Sequence, residues 1–253
     1  MANAAKAYLQ GLNDKFSYLG TWLPNGNRRL GDVGVQKGEE WKRVTSLRDL
    51  GITFTVRPGT QTIDFTHTSH SGVKLRSKLG GELKAAGATL AEAGIAIEFS
   101  EEGSFVFQAA SCRTDEIEDQ VSLGEALIKL FEQGRWEREW SVIDTLVIAK
   151  SATIIVSNSK ASMLELDAKT PLQLANLADA SAGISVVSQS GDVTRFIAAE
   201  GLTPLFKLSR LRKSLLGSLL GAAKPITFGG PGRTDTAGRP SADNALEHVP
   251  LEL

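Results

Sequence analysis

Two histidines, His67 and His70, stand three residues apart in a stretch rich in Thr and Ser. On a helix this spacing would bring both imidazoles to one face, where they could bind a metal ion together. The flanking residues 62–71 instead have the composition of a strand or loop, and no further His, Asp or Glu follows at a metal-ligand spacing. The sequence therefore predicts no metal site and two histidines on the solvated surface.

The only cysteine, Cys112, is the other candidate for chemistry. It lies between a predicted strand and a predicted acidic helix, and a helix N-terminus favours the thiolate form of a cysteine. The neighbouring acids Asp115 and Glu116 oppose that effect, and no suitable histidine partner for a nucleophile is apparent. We expect Cys112 to be a small buried or half-buried thiol and the two acids to lie on the exposed start of a helix.

Familiar catalytic motifs are missing from the sequence. It contains no GxSxG elbow, no Walker GxxxxGKS/T loop, no HExxH pair and no GxGxxG between a strand and a helix. We therefore expect a protein that is not an enzyme, with no catalytic residue and no cofactor. A hydrolase that uses Cys112 or the pair His67 and His70 is the enzymatic alternative.

A basic cluster lies in the last quarter of the chain, beside leucines at helical spacing. Leucines at positions 208, 211, 215 and 219 recur every three or four residues, which predicts a helix. The basic members are Lys207, Arg210, Arg212 and Lys213. Such a face binds anionic lipid headgroups, and each basic residue contributes about 1 kcal/mol near the surface. An ordinary amphipathic surface helix is the alternative.

Composition limits the class of protein. With 42% hydrophobic and 23% charged residues, the 253-residue chain has enough apolar material for a sizeable core. A formal net charge of -1 argues against a surface built throughout for nucleic acid. A single cysteine fits a reducing compartment, and residues 1–12 lack the pattern of a secretory signal, so we expect a cytoplasmic protein. No segment approaches the roughly 20 apolar residues of a spanning helix, which leaves a closed β-barrel as the route into a bilayer.

Local patterns predict an α+β fold. Residues 4–12 are typical of a short amphipathic helix, and residues 114–133 of a longer one. Between residues 71 and 86 apolar and charged side chains alternate, which favours a strand over a helix interrupted by Gly80 and Gly81. Turn-forming residues predict four antiparallel pairings: within 32–44, of 95–99 with 105–107, of 140–149 with 152–156, and of 183–187 with 193–197.

The end of the chain differs in character from the rest. Residues 229–240 carry almost no apolar side chain, so burial cannot offset the entropy lost on ordering them. A short apolar segment with Leu246, Val249 and Leu251 follows. We therefore divide the chain into a folded part, 1–228, and a linker with a terminal tail, 229–253. A terminus without function is the alternative.

The order of the elements and several short strings carry a resemblance to a known family. The string SKLGGEL at 77–83 runs into Ala93-Gly94-Ile95, and a hairpin that ends at Cys112 follows. Next come a helix leading into EQGRW at 132–136 and the strand at 140–149 with its return through Val156. Over about residues 4–215 this order resembles the pore-forming domain of the gasdermins, especially the compact bacterial members.

The resemblance implies a twisted antiparallel sheet with peripheral helices, kept soluble by a C-terminal element. After proteolysis it implies insertion in the inner membrane as a large homo-oligomeric β-barrel pore that causes cell death, in bacteria as a defence against phage. Two regions, within about 60–107 and 140–196, would become membrane-spanning hairpins. The candidate membrane-inserting residues are Val73, Leu75, Leu79, Leu83, Ile95, Ile97, Val147 and Ile155.

The resemblance also implies the partners, which are an activating protease, membrane lipids and further copies of the chain. A short inhibitory tail replaces a large inhibitory domain in bacterial members, so Leu246, Val249 and Leu251 would hold the tail on the body. The candidate cleavage sites are Arg233 and Arg239 for a trypsin-like protease and Asp235 and Asp243 for a caspase-like one. A cytosolic lipid- or protein-binding module without pore activity is the alternative function.

One departure from the family pattern concerns the start of the chain. Bacterial members often carry a Cys within the first few residues that can be acylated. This sequence begins Met1-Ala2-Asn3-Ala4-Ala5. Acylation at that point is therefore not expected.

Overall fold

The computed structural model describes residues 2–22, 28–38, 40–69, 72–77, 94–168, 184–197, 202–212 and 245–249. Within those residues the regular elements are two helices and fifteen strands. The strands form two sheets in which neighbouring strands run antiparallel. The predicted mixed α+β class is confirmed at this level.

A large sheet of eleven strands forms the centre of the described structure. Its members are β1 (Leu19–Gly20), β2 (Asp32–Lys37), β3 (Glu40–Ser46), β4 (Val56–Arg57), β5 (Ile63–Thr68), β8 (Phe105–Ile117), β9 (Trp140–Ala149), β10 (Ser151–Ser157), β13 (Val193–Ile197), β14 (Leu202–Leu211) and β15 (Leu246–His248).

A small sheet of four strands packs on one face of the large sheet. Its strands are β6 (Val73–Ser77), β7 (Ile95–Phe99), β11 (Ser162–Ala168) and β12 (Ile184–Ser190), in the order β12-β11-β7-β6. Alternate residues of β7 and β11 are buried, because one side of the small sheet faces the large sheet. The core between the sheets includes Phe99, Val106, Ile155 and Leu166.

The two helices cover other parts of the large sheet. α1 (Ala2–Phe16) buries Ala4, Tyr8 and Leu12, which recur at helical spacing, against the face opposite the small sheet. Its Tyr8 ring stands edge-on to the ring of Phe105, with centroids 5.3 Å apart. α2 (Gln120–Glu132) buries leucines against the half of the sheet near β14. The predicted helix at 4–12 is confirmed and extends further at both ends.

The predicted helix at 114–133 starts too early. Asp115 and Glu116 lie on β8, paired with Leu146 and Thr145 of β9. The helix begins after Asp119, whose carboxylate accepts a hydrogen bond from the Ser122 amide at 2.9 Å and so caps the first turn. The acids predicted at an exposed helix start are therefore strand residues, because cross-strand pairing continues to the cap.

β8 is the longest strand of the described structure, and along one side it pairs with two others. Phe105 to Ala110 pair with β10, and Arg113 to Glu116 pair with β9, in one unbroken register. β9 and β10 thus follow each other along the same side of β8, separated at Lys150, whose amide donates to the Ala110 carbonyl. The predicted pairing of 140–149 with 152–156 is wrong, because the two segments continue in one direction instead of folding back.

Two further predicted hairpins are also wrong in their pairing, although their strands exist. β7 pairs with β6 and β11, whereas β8 pairs with strands of the large sheet. β12 pairs with β11, whereas β13 pairs with β10. In each case the short connection carries the chain from one sheet to the other instead of turning it back beside itself. The hairpin predicted within 32–44 is confirmed as β2 and β3, with Gly38 in the left-handed region at φ 60°.

Four short connections between the sheets lie side by side. We call them arches: residues 100–104 join β7 to β8, 158–161 join β10 to β11, and 191–192 join β12 to β13, while the connection from β5 to β6 is described at Ser69 and Gly72. The small-sheet order β12-β11-β7-β6 therefore repeats the large-sheet order β13-β10-β8-β5. Two antiparallel strand pairs therefore fold back onto the large sheet, and we call them arms: β6 with β7, and β11 with β12.

The strand predicted at 71–86 is confirmed for β6. Val73 and Leu75 face the core, and Lys74 and Arg76 are exposed, as the alternating pattern predicts. The remainder of that prediction, from residue 78 onward, lies outside the described residues.

Candidate functional site

The C-terminal strand β15 is docked on the outer edge of β14. Ser209, Arg210 and Leu211 pair with His248, Glu247 and Leu246 in an antiparallel register. At one end the Arg212 amide donates to the Ala245 carbonyl at 3.0 Å, and at the other the Val249 amide donates to the Leu208 carbonyl at 2.9 Å. We call residues 245–249 the clasp.

The clasp contributes side chains to both sides of the β14 edge. Ala245 is 1% exposed and belongs to the core beneath α2, where Leu246 also packs. Val249 packs against a separate core that contains Leu208. The clasp is therefore held by apolar burial as well as by backbone pairing. Leu246 and Val249, two of the three predicted tail contacts, touch the body, and Leu251 lies outside the described residues.

Charged side chains reinforce the clasp. Arg210 Nε donates to Glu247 Oε1 at 2.9 Å, with both side chains partly buried. Arg212 Nε donates to the Leu246 carbonyl at 3.1 Å. These two arginines, which the sequence assigned to a lipid-binding cluster, hold the terminal strand on its neighbour.

The helix predicted over leucines 208–219 is wrong over residues 208–211, and residues 213–219 lie outside the described residues. Residues 202–211 are the strand β14, and Leu208 and Leu211 enter cores on opposite faces of the sheet. Three-residue spacing fits a strand buried on both faces as well as a helix, which explains the error. Lys207 lies over the Tyr18 ring, 4.6 Å from its centroid, and Lys213 lies outside the described residues.

A polar cluster joins the clasp to β14 and β9 through one side chain from each. Ser209 Oγ donates to Asp144 Oδ2 at 2.5 Å and lies 3.4 Å from His248 Nδ1, while Asp144 Oδ2 is 3.9 Å from His248 Nδ1. Asp144 is only 1% exposed. Burial raises the pKa of Asp144, and the Ser209 hydroxyl and the charge of His248 oppose that rise. An acid with a raised folded-state pKa destabilises the fold while it is ionised, so stability increases as pH falls through that pKa.

This cluster does not have the geometry of a catalytic triad. In a triad the imidazole stands between hydroxyl and carboxylate and uses both ring nitrogens. Here the hydroxyl binds the carboxylate directly, and both oxygens face the same Nδ1. The cluster lines a cleft of about 350 Å³ whose charged members also include Arg57, Glu116, Glu118, Lys207 and Glu247.

The candidate membrane-inserting residues of the arms are hidden between the sheets. Val73, Leu75, Ile95 and Ile97 belong to or pack on the core that joins the two layers. Ile155 reaches the same core from β10, while Val147 lies on the opposite face of the large sheet, in the core beneath α1. Leu79 and Leu83 lie outside the described residues.

The residues considered for chemistry are not arranged for it. Cys112 is buried within β8 instead of preceding a helix, and burial raises its pKa to about 12. A neutral buried thiol is the opposite of the exposed thiolate that nucleophilic catalysis requires. The predicted buried thiol is thus confirmed, and the predicted position beside a helix start is wrong.

The prediction of surface histidines is wrong for His67. It is 9% exposed, and its ring stands edge-on to those of Phe16 and Phe105 at 6.0 and 5.3 Å. The reason is that His67 points from β5 towards α1, like Phe65 two residues earlier. His70 lies outside the described residues, and among those that are described no group of three or more His, Cys, Asp or Glu could hold a metal ion.

The candidate cleavage sites all fall in the part of the chain between Arg212 and the clasp. Arg233, Asp235, Arg239 and Asp243 lie outside the described residues. Sequence reasoning missed the meeting of Asp144, Ser209 and His248, because these residues are far apart in the chain and form no motif. The one available signal was Asp144 itself, the only charged residue of β9.

In the part of the chain that is described, no helix combines the length and apolar character needed to cross a membrane. No protein-family model and no curated protein matches this chain.

Proposed function

We propose that this chain is an autoinhibited pore-forming protein of the gasdermin type, kept inactive by its docked clasp. The observation that carries the proposal is the pair of arms. Each arm is joined by two neighbouring arches to two paired strands of the large sheet, and it is folded back onto that sheet. Straightening the arches would convert each arm and its large-sheet strands into one long hairpin. Because the strands have the same order in both sheets, straightening would leave each strand beside its present neighbours.

The strand lengths are sufficient for a bilayer. β5 supplies six residues before its arch and β6 supplies five after it. β12 and β13 supply seven and five. A strand that crosses a membrane needs about 9–11 residues, so each straightened pair reaches across. None of β5, β6, β12 and β13 is long enough alone.

The side-chain pattern of the arms suits lipid on one side and water on the other. On β6 the apolar residues Val73 and Leu75 alternate with Lys74 and Arg76, and on β7 Ile97 is followed by Glu98. Barrel strands need this alternation between a lipid-facing and a lumen-facing side. In the folded chain the large sheet covers the apolar side, and in a membrane the lipid would take its place.

A membrane barrel must also be closed, because unpaired strand edges cannot face hydrocarbon. One copy supplies four arm strands, so the arms of several copies must pair side by side. We therefore propose a homo-oligomeric ring that forms in the inner membrane, from a precursor that resides in the cytoplasm. Membrane lipids and further copies of the chain are the partners of the active form.

The clasp supplies the restraint in this proposal. It covers the outer edge of β14 and joins β14 to the core beneath α2. Cleavage between Arg212 and Ala245 by a caspase-like or trypsin-like protease, at Arg233, Asp235, Arg239 or Asp243, would turn the clasp from an intramolecular strand into a short peptide. The effective concentration of the clasp at the β14 edge would then fall, because the linker no longer holds it there. A segment as short as the clasp would dissociate.

The alternative of a lipid- or protein-binding module relied on a helical face over residues 208–219. Residues 208–211 form a paired strand, so the described part of that face does not exist. No other observation favours the alternative.

Dye release from anionic liposomes tests the proposal. The full chain is expected to leave the vesicles intact, and a chain truncated after Gly232 to empty them. A synthetic peptide of residues 244–253, added in excess, should suppress leakage by occupying the β14 edge again. Vesicles that stay intact with the truncated chain, or membrane binding without rings in electron micrographs, would refute pore formation.

A further inference from the structure

We propose that the arches form one hinge, that hydrogen bonds between neighbouring arches make them bend together, and that a side-chain network across the bend between β10 and β11 holds the arms folded back. We call these hydrogen bonds together the seam. This inference rests on the proposed function and adds to it the residues that set the barrier to straightening. Ala161 lies in the arch between β10 and β11, and Ser162 follows it as the first residue of β11. These two residues affect the barrier most directly.

The seam begins between the first two arches. The Ser69 amide donates to the Phe105 carbonyl at 3.0 Å, and the Phe105 amide donates to Ser69 Oγ at 3.1 Å. At the other end of the same arches, the Ser100 amide donates to the Gly72 carbonyl at 2.8 Å. These bonds continue the pairing of β5 with β8 and of β6 with β7 up to the bend, and they tie the first two arches together.

The second and third arches are joined in the same way. The Ser157 amide donates to the Ser104 carbonyl at 2.9 Å, and the Gly103 amide donates to the Ser157 carbonyl at 2.8 Å. Ser157 and Ser104 are both buried. This pair of bonds links the bend of the first arm to that of the second.

A side-chain network closes the seam at the third and fourth arches. Ser162 Oγ lies 2.9 Å from the hydroxyls of both Ser157 and Ser159, and the Asp192 amide donates to Ser159 Oγ at 3.0 Å. Asn158 Nδ2 donates to Thr194 Oγ1 at 2.8 Å. Ser162 is 2% exposed, so its hydroxyl sits at the centre of the network and out of contact with water.

Among the described residues, each arch has one in the left-handed backbone region. Three are glycines, and the fourth is Ala161, with φ 56°. Left-handed backbone is unfavourable for alanine but not for glycine. A straight strand has no such residue, so Ala161 favours straightening while the seam opposes it.

This balance predicts opposite effects for two small substitutions. Ser162→Ala removes the central hydroxyl, and loss of one buried hydrogen-bonding group should speed leakage after tail removal about fivefold. Ala161→Gly relieves the bent form and disfavours the extended one, so leakage should slow about fivefold. Ser185 lies on β12 of the same sheet, and its side chain is exposed. Ser185→Ala is therefore the matched control and should leave the rate unchanged.

The experiment follows dye release after the full chain of each variant, built with a specific protease site in the 229–240 linker, is cleaved. Circular dichroism before cleavage identifies any variant that fails to fold, and Ala161→Gly, which should raise the melting temperature, remains informative if Ser162→Ala does not fold. Equal rates for Ser162→Ala, Ala161→Gly and Ser185→Ala would overturn the hinge while the proposed pore stands. Absence of leakage from the cleaved wild-type chain would instead overturn the proposed function.

Discussion

Replacing Ala245 by lysine should release the clasp without any cleavage. Ala245 is 1% exposed and lies in the core beneath α2 with Leu211 and Leu127. A lysine there would place an unpaired charge in an apolar layer. Arg212 is its neighbour, as the bond from the Arg212 amide to the Ala245 carbonyl shows, and its positive charge would not neutralise the lysine. In the proposed mechanism the clasp leaves while the body stays folded, so the cost should appear as undocking.

The magnitude follows from the contacts of the clasp. Its backbone hydrogen bonds contribute about 1 kcal/mol each, and the partly buried pair of Arg210 and Glu247 adds at most about 1 kcal/mol. An unpaired charge left in a core costs about 3–5 kcal/mol. At 1.4 kcal/mol per tenfold change, the ratio of docked to undocked clasp should fall by roughly 100-fold or more.

Hydrogen exchange measures that ratio directly. The amides of Arg212 and Val249 donate across the clasp, so their protection reports docking. Both should lose most of it in Ala245→Lys. His248→Lys is the matched control, because the His248 side chain is 72% exposed and a lysine there can stay in water. Wild-type protection of Val249 in Ala245→Lys would show that the clasp is not held by burial of Ala245.

Three further predictions concern the body of the protein. Asp144→Asn should raise the free energy of unfolding at pH 7, because burial raises the pKa of Asp144 and makes its charge unfavourable; the wild-type gain in stability on acidification towards pH 4 should be absent from the variant, and an identical pH profile in both proteins would contradict this account. Asp119→Ala removes the cap of α2 and should cost about 1 kcal/mol, or about 2–4 °C in melting temperature, whereas Glu118→Ala beside it should not. Cys112 should resist thiol reagents at pH 8 until the chain unfolds, since burial raises its pKa to about 12; rapid labelling of the folded chain would contradict its burial.

Local sequence predicted most elements but not their pairing. The alternation of Val73 and Leu75 with Lys74 and Arg76 identified β6, and the spacing of Tyr8 and Leu12 identified α1. Such patterns reflect one buried face, which local periodicity records. They predict that a strand exists and which side is apolar.

The pairing errors share a physical cause. A short connection with a left-handed glycine, such as Gly103 at φ 84°, serves equally well to turn a strand back beside itself or to carry it into a second layer. The choice depends on what covers each face of the strand, and α1 and the small sheet cover β8 on both sides. That information is spread over distant parts of the chain.

The candidate site was predictable only in part. Apolar residues after a linker indicated a terminal segment able to dock, and Leu246 and Val249 do contact the body. The edge that receives them could not be predicted, because residues 208–211 have leucine spacing that a helix and a doubly buried strand share. The arrangement of Asp144, Ser209 and His248 depends on three strands whose order is a property of the whole sheet.

The distance across one arch tests the central claim most directly. Spin labels on cysteines introduced at Ile63 and Lys74, both exposed, lie on the two layers of the folded chain, about 10 Å apart across the layers and about 13 Å apart along the strands, or roughly 16 Å in all. The buried Cys112 should remain unlabelled. After tail removal on liposomes, straightening should separate the labels to about 36 Å at 3.3 Å per residue. A distance below about 20 Å that persists in leaking vesicles would contradict the account.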